Sequence, residues 1–302
     1  MGNGDDRVEL GIALQRVDDP GGHARAFEAL GYDYVSCGEH VCFNVASSNS
    51  FISLAAAAGA TTRIRLVNSI ALVPLYPPAL LAKLGAALDV ASNGRFSLGV
   101  GIGGEIAREF EACGVPVHER GARTNEALEI ITRLWSEPSV DFHGRFNSFT
   151  GASIEPKPVQ RPRPPIWISG RKDAAMRRTA RFGDGWLPYM YTPDMLSSSL
   201  ATIRAEATRP VRGGLFIWGA VHRDRQTAHD MAVATLSKTY AQDFSKLVSR
   251  YAFAGTPDDV IDQLRTFVDA GARTIIVSFA CPLGELAAAQ QLFADEVLPA
   301  FR

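Results

Sequence analysis

The chain has 302 residues, 46% of them hydrophobic, which is long enough to bury one large core or two smaller ones. Its 31 basic and 32 acidic side chains leave a formal net charge of −1, which argues against bulk attraction to nucleic acid or to an anionic membrane. Segment 1–14 lacks the pattern of a secretory signal, and no apolar run approaches the roughly 20 residues of a membrane span. We therefore expect a cytoplasmic protein.

Short β-branched or apolar runs alternate with longer segments of helical period along the whole chain. The runs predict eight strands at 8–14, 32–37, 64–71, 95–100, 165–169, 185–188, 212–220 and 274–279. Helices are predicted at 21–30, 49–59, 78–92, 120–135, 173–182, 193–207, 224–235, 257–270 and 283–298. Eight strands, each followed by a helix, favour a closed barrel over a doubly wound sheet of about six strands. The expected fold is α/β, a single (β/α)8 TIM barrel over 1–302.

Two segments interrupt this alternation. Residues 140–164 alternate aromatic with polar side chains and end in a proline-rich stretch, which predicts a β-hairpin insertion and an extended return into the fifth strand. Residues 238–253 come after the seventh strand and its helix and are rich in Tyr, Phe and Ser. Long loops on this face of a barrel often cover the site, so we interpret this insertion as a lid.

The cysteine and histidine patterns contain no metal-site spacing. The closest cysteines, Cys42 and Cys37, are spaced C-x4-C without a second pair, and the histidines show neither H-x-x-x-H nor H-E-x-x-H. A cytosolic chain of this length does not need disulfides. We expect reduced thiols and no metal centre.

Candidate reactive groups follow the predicted strands, because TIM barrels carry their sites at the carboxyl ends of the strands. After strand two, Glu39 and His40 place a carboxylate beside an imidazole that can transfer a proton or hold a cofactor ring; a hydrogen-bonded loop residue is the alternative. Strand three overruns its neighbours through Ser69 and Ile70, which indicates either a bulge toward the pocket or simply a long strand.

Glycine-rich turns follow strands four and five. Segment 99–104 has the sequence G-V-G-I-G-G, whose missing side chains would let backbone amides approach a planar or anionic ligand. It is neither a Walker A loop nor a dinucleotide fingerprint. Ser169, Gly170 and Arg171 lead into a helix whose first amides lack partners, so this turn is either a phosphate site or a solvated helix start.

Together these segments resemble the luciferase-like monooxygenase superfamily of FMN-dependent monooxygenases and oxidoreductases that use the deazaflavin coenzyme F-420. The strongest part is 77–135, with an A-K helix, an L-D-x-x-S-x-G-R turn, a G-V-G-x-G strand end and an R-x-x-E helix ending in L-W. The segments G-Y-D-Y…E-H at 31–40, P-P-I-W-I-S-G at 164–170 and F-G-D-G-W-L-P at 182–188 extend the resemblance over nearly the whole chain.

The resemblance implies a cofactor at the barrel mouth, and each of its contacts falls after a strand. The implied contacts are His40 near the ring, Ser69 and Ile70 at a bulge with a non-proline cis peptide, Gly101 and Gly103 along the fourth strand, and Ser169, Gly170 and Arg171 at the phosphate. The E-P-K-P-V-Q and E-R-G-A-R-T-N-E segments are most similar to the subgroup that uses coenzyme F-420, which favours this cofactor over FMN.

The implied reaction is hydride transfer between a small organic substrate and coenzyme F-420, with His40 or Glu39 as proton donor. Aromatic side chains are the candidate pocket walls, namely Phe43, Trp186, Tyr189 and Tyr191. Sugar-phosphate-oxidising members have G-x-G-E after strand four, whereas here the acid is displaced to Glu105, which argues against a sugar phosphate and leaves Glu105 and His40 as alternative donors.

Two alternative functions and the oligomeric state stay open. One is an oxygen-using monooxygenase that receives reduced FMN from a separate reductase; another, of a different class, is a non-catalytic flavin-binding protein. A homodimer through the apolar early helices is a third open point, because helical periodicity does not separate an interface from a core.

Overall fold

The computed structural model describes residues 7–302. Its strands are β1 (Glu9–Ala13), β2 (Tyr34–Cys37), β3 (Arg65–Asn68), β4 (Ala71–Leu72), β5 (Phe96–Gly101), β6 (Val140–His143), β7 (Ser148–Ala152), β8 (Ile166–Ile168), β9 (Gly185–Trp186), β10 (Arg212–Val221), β11 (Ala252–Gly255) and β12 (Thr274–Phe279). Its helices are α1 (Pro20–Leu30), α2 (Ser50–Ala60), α3 (Pro78–Ala91), α4 (Ala107–Ala112), α5 (Arg120–Ser136), α6 (Asp173–Phe182), α7 (Pro193–Glu206), α8 (Arg225–Tyr240), α9 (Val248–Tyr251), α10 (Pro257–Asp269) and α11 (Leu286–Leu292), and α11 continues through a π turn and a 3-10 turn to Phe301.

Eight parallel strands close into a barrel, as the sequence predicts. Neighbours around the ring run β1, β2, β3, β5, β8, β9, β10 and β12, and β12 pairs back with β1. β4 continues the third strand along β5, and β11 pairs with the end of β10. The helices pack around this ring, so the carboxyl ends of all eight strands meet at one mouth.

The amino-terminal end of the barrel is closed by a polar cluster. Glu9 on β1 forms ion pairs with Arg65 and with Arg212, the latter at 3.2 Å. Arg65 also donates to the hydroxyl of Tyr34 at 2.9 Å. These contacts hold β1, β2, β3 and β10 together at this end of the barrel.

The third strand bulges where the sequence indicates. The peptide bond between Ser69 and Ile70 is cis, as the resemblance implies. Glycines on β5 accommodate this bulge: a Cβ on Gly99 would lie 1.7 Å from the carbonyl oxygen of Asn68, and a Cβ on Gly101 would lie 1.6 Å from Cδ1 of Ile70. Gly99 and Gly101 of β5 are therefore explained by their close packing against the third-strand bulge.

The L-D-x-x-S-x-G-R turn between α3 and β5 is a structural junction. Asp89 is fully buried and accepts hydrogen bonds from the amides of Val159 and Gln160, which fixes the return segment before β8. Arg95 donates to the carbonyls of Ala58 and Thr61 at the end of α2. This turn thus connects α3 to the end of α2 and to the return segment before β8.

The insertions differ in how far the sequence predicts them. β6 and β7 form the predicted antiparallel hairpin before β8. In the 238–253 insertion, α8 continues to Tyr240, α9 follows, and β11 adds to the sheet beside β10. The sequence does not predict α4, α9 or β11, because each has six residues or fewer and is too short to show a clear periodicity. Whether the segment acts as a lid stays a prediction.

No helix among residues 7–302 has the length and apolar character to cross a membrane.

Candidate functional site at the barrel mouth

Side chains of the barrel strands alternate between the helix-facing core and the barrel interior. On β10, Leu215 and Ile217 belong to the helix-facing core, whereas Phe216 packs inside the barrel near Trp167. The same alternation puts small residues on the interior near the mouth over much of the ring, namely Ala13, Ser36, Ser69, Gly101, Ser169 and Ser278. On β10, and just after β9, the equivalent positions carry Trp218 and Tyr189. We call this layer of small residues the shelf, and aromatic side chains lie along one side of it.

His40 forms a hydrogen bond to a buried carboxylate, which the sequence did not predict. Its Nδ1 lies 3.1 Å from Oε1 of Glu109 on α4, and its side chain is 24% exposed against 1% for that of Glu109. The same carboxylate accepts from the amides of Val41 at 2.7 Å and Cys42 at 3.2 Å. Phe43 stacks on the imidazole at 4.1 Å. The imidazole is therefore held in place and in orientation through Nδ1 and the stacked phenyl ring.

Glu39, predicted as an alternative proton donor, is engaged inside the protein. Its buried carboxylate accepts from the Ser50 hydroxyl at 2.6 Å, the Ser50 amide at 3.1 Å, the Leu72 amide at 3.0 Å and the Asn49 side chain at 3.4 Å. A negative charge at this position also favours the amino terminus of α2. Glu39 thus ties the end of β2 to α2 and to the third-strand bulge.

A cavity of about 350 Å³ opens beside these two residues. It lies between the loop after β2, the turn after β4 and the end of α4, with Glu39, His40, Ser48, Tyr76 and Cys113 among its lining residues. Its size is at the lower end of the range of small-molecule sites.

The turn after β8 has the features of an anion site. α6 begins after Lys172 without a side-chain cap, so its first amides have no side-chain acceptor. Gly170 has φ 148°, and a Cβ there would lie 2.5 Å from that of Ala175. The guanidinium of Arg171 lies over the ring of Tyr189 at 5.2 Å, at the edge of the mouth.

Two arginines lie close to the loops after β5 and β8, one buried and one half-buried. The buried Arg178 donates to the side chain of Asn125 at 2.8 Å, and burial lowers the pKa of its guanidinium. Nε of the half-buried Arg120 is itself buried without a hydrogen-bond partner among the described residues, and it lies 2.6 Å from where a Cβ on Gly104 would be. Within 7–302, neither guanidinium forms an ion pair with a carboxylate.

Glu105 belongs to a second polar cluster rather than to the His40 pair. Its carboxylate accepts a short hydrogen bond from the hydroxyl of Tyr189. Trp218 donates to the hydroxyl of Tyr240 at 3.1 Å. Burial, followed by the charge of Glu105, raises the pKa of Tyr189, and burial raises the pKa of Tyr240 to about 12. Both phenols are therefore neutral hydrogen-bond donors across the ordinary pH range.

The segment between β5 and α4 connects both clusters. Glu105 contacts Tyr189 across the mouth, and Glu109, one helical turn later, contacts His40. Of the predicted aromatic walls, Phe43 and Tyr189 lie in these clusters. Trp186 and Tyr191 do not, and that prediction is wrong for them: both are buried in the helix-facing core, where Tyr191 hydrogen-bonds with Ser199 of α7.

Among residues 7–302, no group of three His, Cys, Asp or Glu side chains is arranged to hold a metal ion.

Comparisons with known proteins agree with this fold. The family model for luciferase-like monooxygenases matches residues 4–274. Among solved structures, the monooxygenase RslO1 from Streptomyces bottropensis is 26% identical with a TM-score of 0.88, over 97% of this chain and 100% of that one. An F-420-dependent secondary alcohol dehydrogenase, solved with an F-420-acetone adduct, is 21% identical with a TM-score of 0.84, over 98% of this chain and 99% of that one, a likeness of fold alone.

A curated relative has a named activity. The oxygenase component of flavin-dependent trigonelline monooxygenase from Acinetobacter baylyi is 28% identical over 178 residues, which are 55% of this chain and 49% of the relative. Because the family model covers most of the sequence, the chain belongs to the luciferase-like monooxygenase family. The named proteins that it resembles include an F-420-dependent dehydrogenase, in fold, and the oxygenase component of a flavin-dependent monooxygenase, in sequence.

Proposed function

We propose that this protein is an oxidoreductase that transfers a hydride between a small organic substrate and coenzyme F-420 bound at the barrel mouth. The observation that carries the proposal is the His40–Glu109 pair beside a shelf of small residues at the carboxyl ends of the strands. A fixed imidazole next to room for a planar ring is what coupled hydride and proton transfer requires.

The residues present fit a flavin-type cofactor. Ser36, Ser69, Gly101 and Ser278 would present no bulky side chain to a tricyclic ring above the shelf, and Ile70 and Gly103 would border that ring on the side of the bulge. The uncapped start of α6, with Ser169, Gly170 and Arg171, would hold the phosphate. When bound, a deazaflavin supplies the ring carbon that accepts or gives the hydride, and the protein supplies position and exclusion of water.

His40 and Glu39 have different roles in this proposal. His40 exchanges a proton with the substrate oxygen through Nε2, while Glu109 holds Nδ1 and Phe43 restricts rotation of the ring. Glu39 is a positioning residue, because its carboxylate is occupied by donors from α2 and from the bulge. Of the two candidate donors left open by the sequence, His40 is preferred, since Glu105 is engaged with Tyr189.

The second candidate function is an FMN-dependent monooxygenase that uses oxygen and receives reduced FMN from a separate reductase. The likeness to RslO1 and to an oxygenase component supports it. The same shelf and phosphate turn would accept FMN, so geometry alone does not favour either cofactor. A non-catalytic flavin-binding protein remains the alternative of another class, and it gives no account of the fixed imidazole.

The test is a parallel titration of the purified protein with coenzyme F-420 and with FMN, followed by tryptophan fluorescence. Trp218 is the tryptophan to follow, because the other three are buried. We expect micromolar or tighter binding of F-420 and binding of FMN at least about tenfold weaker, a difference of about 1.4 kcal/mol. The reverse order, with oxygen uptake on addition of reduced FMN, would replace the proposal by the monooxygenase, and binding of neither would refute both.

A further inference from the structure

The barrel mouth has two chemically different sides. Counting around the ring, β9 is four strands from β2, so the side chains after these strands lie across the mouth from each other. His40, Ser36 and Ser69 occupy the side of β2 and β3. The side of β9 and β10 carries Tyr189, Phe216 and Trp218, joined by Tyr240 from the end of α8. We call these four residues the aromatic wall.

We propose that the aromatic wall is the substrate subsite and that it selects a planar aromatic ring carrying an oxygen acceptor, a phenol or an aryl carbonyl. This inference rests on the proposed function, since it places the substrate between the wall and the cofactor. It adds the chemical class of the substrate, which neither the family nor the fold defines.

The preference for a ring follows from the side chains that face the mouth. Trp218 lies edge-on to Phe216, with centroids 6.0 Å apart and planes at 76°, and Tyr240 stacks with Phe244 at 5.4 Å. Their partners restrict these rings, yet Phe216, Trp218 and Tyr240 all keep part of their surface accessible. Preorganised aromatic surfaces bind another ring by stacking or edge contacts better than they bind an aliphatic chain.

The preference for an oxygen acceptor follows from the hydrogen bonds of the wall. Tyr189 already donates its proton to Glu105. Tyr240 accepts from Trp218, and its own proton has no acceptor among residues 7–302. Because burial keeps this phenol neutral, Tyr240 offers an unused donor next to an aromatic surface.

The experiment measures binding of a matched pair of probes to the cofactor-loaded protein by equilibrium dialysis. The probes are 4-hydroxyacetophenone and cyclohexyl methyl ketone, which share a methyl ketone and differ in the ring and in the phenol. We expect the aromatic probe to bind at least about tenfold more tightly. Equal affinities, or no binding of either probe up to millimolar concentration, would overturn the proposal.

Three variants separate the contributions. Tyr240→Phe keeps the ring and removes the donor, so binding of the aromatic probe should weaken about five- to tenfold. Trp218→Leu should remove most of the discrimination between the probes, and Trp218→Phe, which changes the packing less, should keep part of it. Tyr191→Phe is the matched control: it deletes a phenol hydroxyl whose partner is Ser199 of α7, away from the mouth, and should change nothing.

Cofactor affinity, measured on the same variants, distinguishes this inference from the proposed function. If the cofactor binds but Tyr240→Phe and Trp218→Leu bind the aromatic probe like the unchanged protein, the subsite is wrong and the function stands. If these variants lose cofactor and probe affinity in parallel, the wall holds the cofactor ring, which also overturns the subsite. If neither F-420 nor FMN binds, the proposed function fails; discrimination between the probes by the cofactor-free protein would then still support the aromatic wall as a ring-binding site, and equal affinities would overturn it as well.

Discussion

At the scale of single residues, the most informative group is Glu109. Its carboxylate is almost fully buried, and it bonds both to His40 and to two backbone amides of the loop after β2. We expect Glu109→Gln to lower turnover about 10- to 100-fold, because the amide keeps the size of the side chain but loses a charge-assisted hydrogen bond to the imidazole. Steady-state kinetics measure this change, and cofactor affinity should stay within about threefold.

Glu111→Gln is the control for that experiment, since it changes an exposed carboxylate on the same helix. If Glu109→Gln were as active as Glu111→Gln, the ion pair would have no part in catalysis. A larger drop in turnover for His40→Ala, about 10²- to 10⁴-fold with the fold intact, is expected if His40 transfers the proton and Glu109 positions it. Near-normal turnover of His40→Ala would show that His40 is not the proton donor.

Gly101 tests whether the glycine run serves the bulge. A methyl group at this position would overlap the Ile70 side chain, so Gly101→Ala should lower the free energy of unfolding by about 1–3 kcal/mol in urea titrations. Gly59→Ala, in an α2 position with open space around it, should instead raise that free energy by up to about 1 kcal/mol. If Gly101→Ala were as stable as the unchanged protein, the bulge would tolerate a side chain at this position. Packing against the bulge would then not explain why the residue is glycine.

At the scale of elements, Arg95 connects α2, α3 and β5. Its guanidinium donates to carbonyls of Ala58, Thr61, Ile64 and Ser92, all at 2.7–3.0 Å. Lysine has the charge but not the planar fork, so Arg95→Lys should lower the free energy of unfolding by about 2–3 kcal/mol. Urea denaturation measures this free energy. Arg63→Lys is the control, because Arg63 is exposed, and its free energy of unfolding should stay within about 0.5 kcal/mol of that of the unchanged protein. Equal stability of both variants would contradict the role of the junction.

The eight barrel strands could be predicted from sequence because each is an apolar run bounded by turn residues, and the regular alternation with helices implies closure. The site was predicted only in part. His40 and the turn after β8 could be predicted because they directly follow strands, where TIM barrels carry their sites. Glu109 could not, because it is 69 residues from His40 in the sequence and lies on a helix too short to show a period. Trp186 was assigned to the pocket because sequence does not tell which face of a two-residue strand points inward. Trp218 and Tyr240 were missed because their contact joins a strand to the far end of a helix.

At the scale of the whole molecule, α2 and α3 leave an apolar outer surface. The helices pack side by side, and their exposed positions include Ile52 and Leu80, 71% and 51% accessible, together with the alanines 55, 56, 79 and 87. Lys83 is the exposed charge among these outer positions of α3. Monomeric proteins seldom leave such surfaces open, and a two-fold axis would let the same helices of a second copy cover them. We therefore propose a homodimer through α2 and α3.

Sedimentation velocity at micromolar concentration should show a species of twice the mass of the 32.6 kDa chain. Ile52→Glu should convert it to a monomer with the same circular dichroism spectrum, because a buried carboxylate without a partner costs several kcal/mol at each copy of the interface. Leu283→Glu is the control, since Leu283 is 66% exposed and lies after β12, far along the chain from both helices. A monomer at all concentrations would refute the homodimer. A dimer that is lost with Leu283→Glu and kept with Ile52→Glu would place the interface away from α2 and α3. Because α2 begins at the residues that bind Glu39, a dimer through this helix would also stabilise the loop that carries His40.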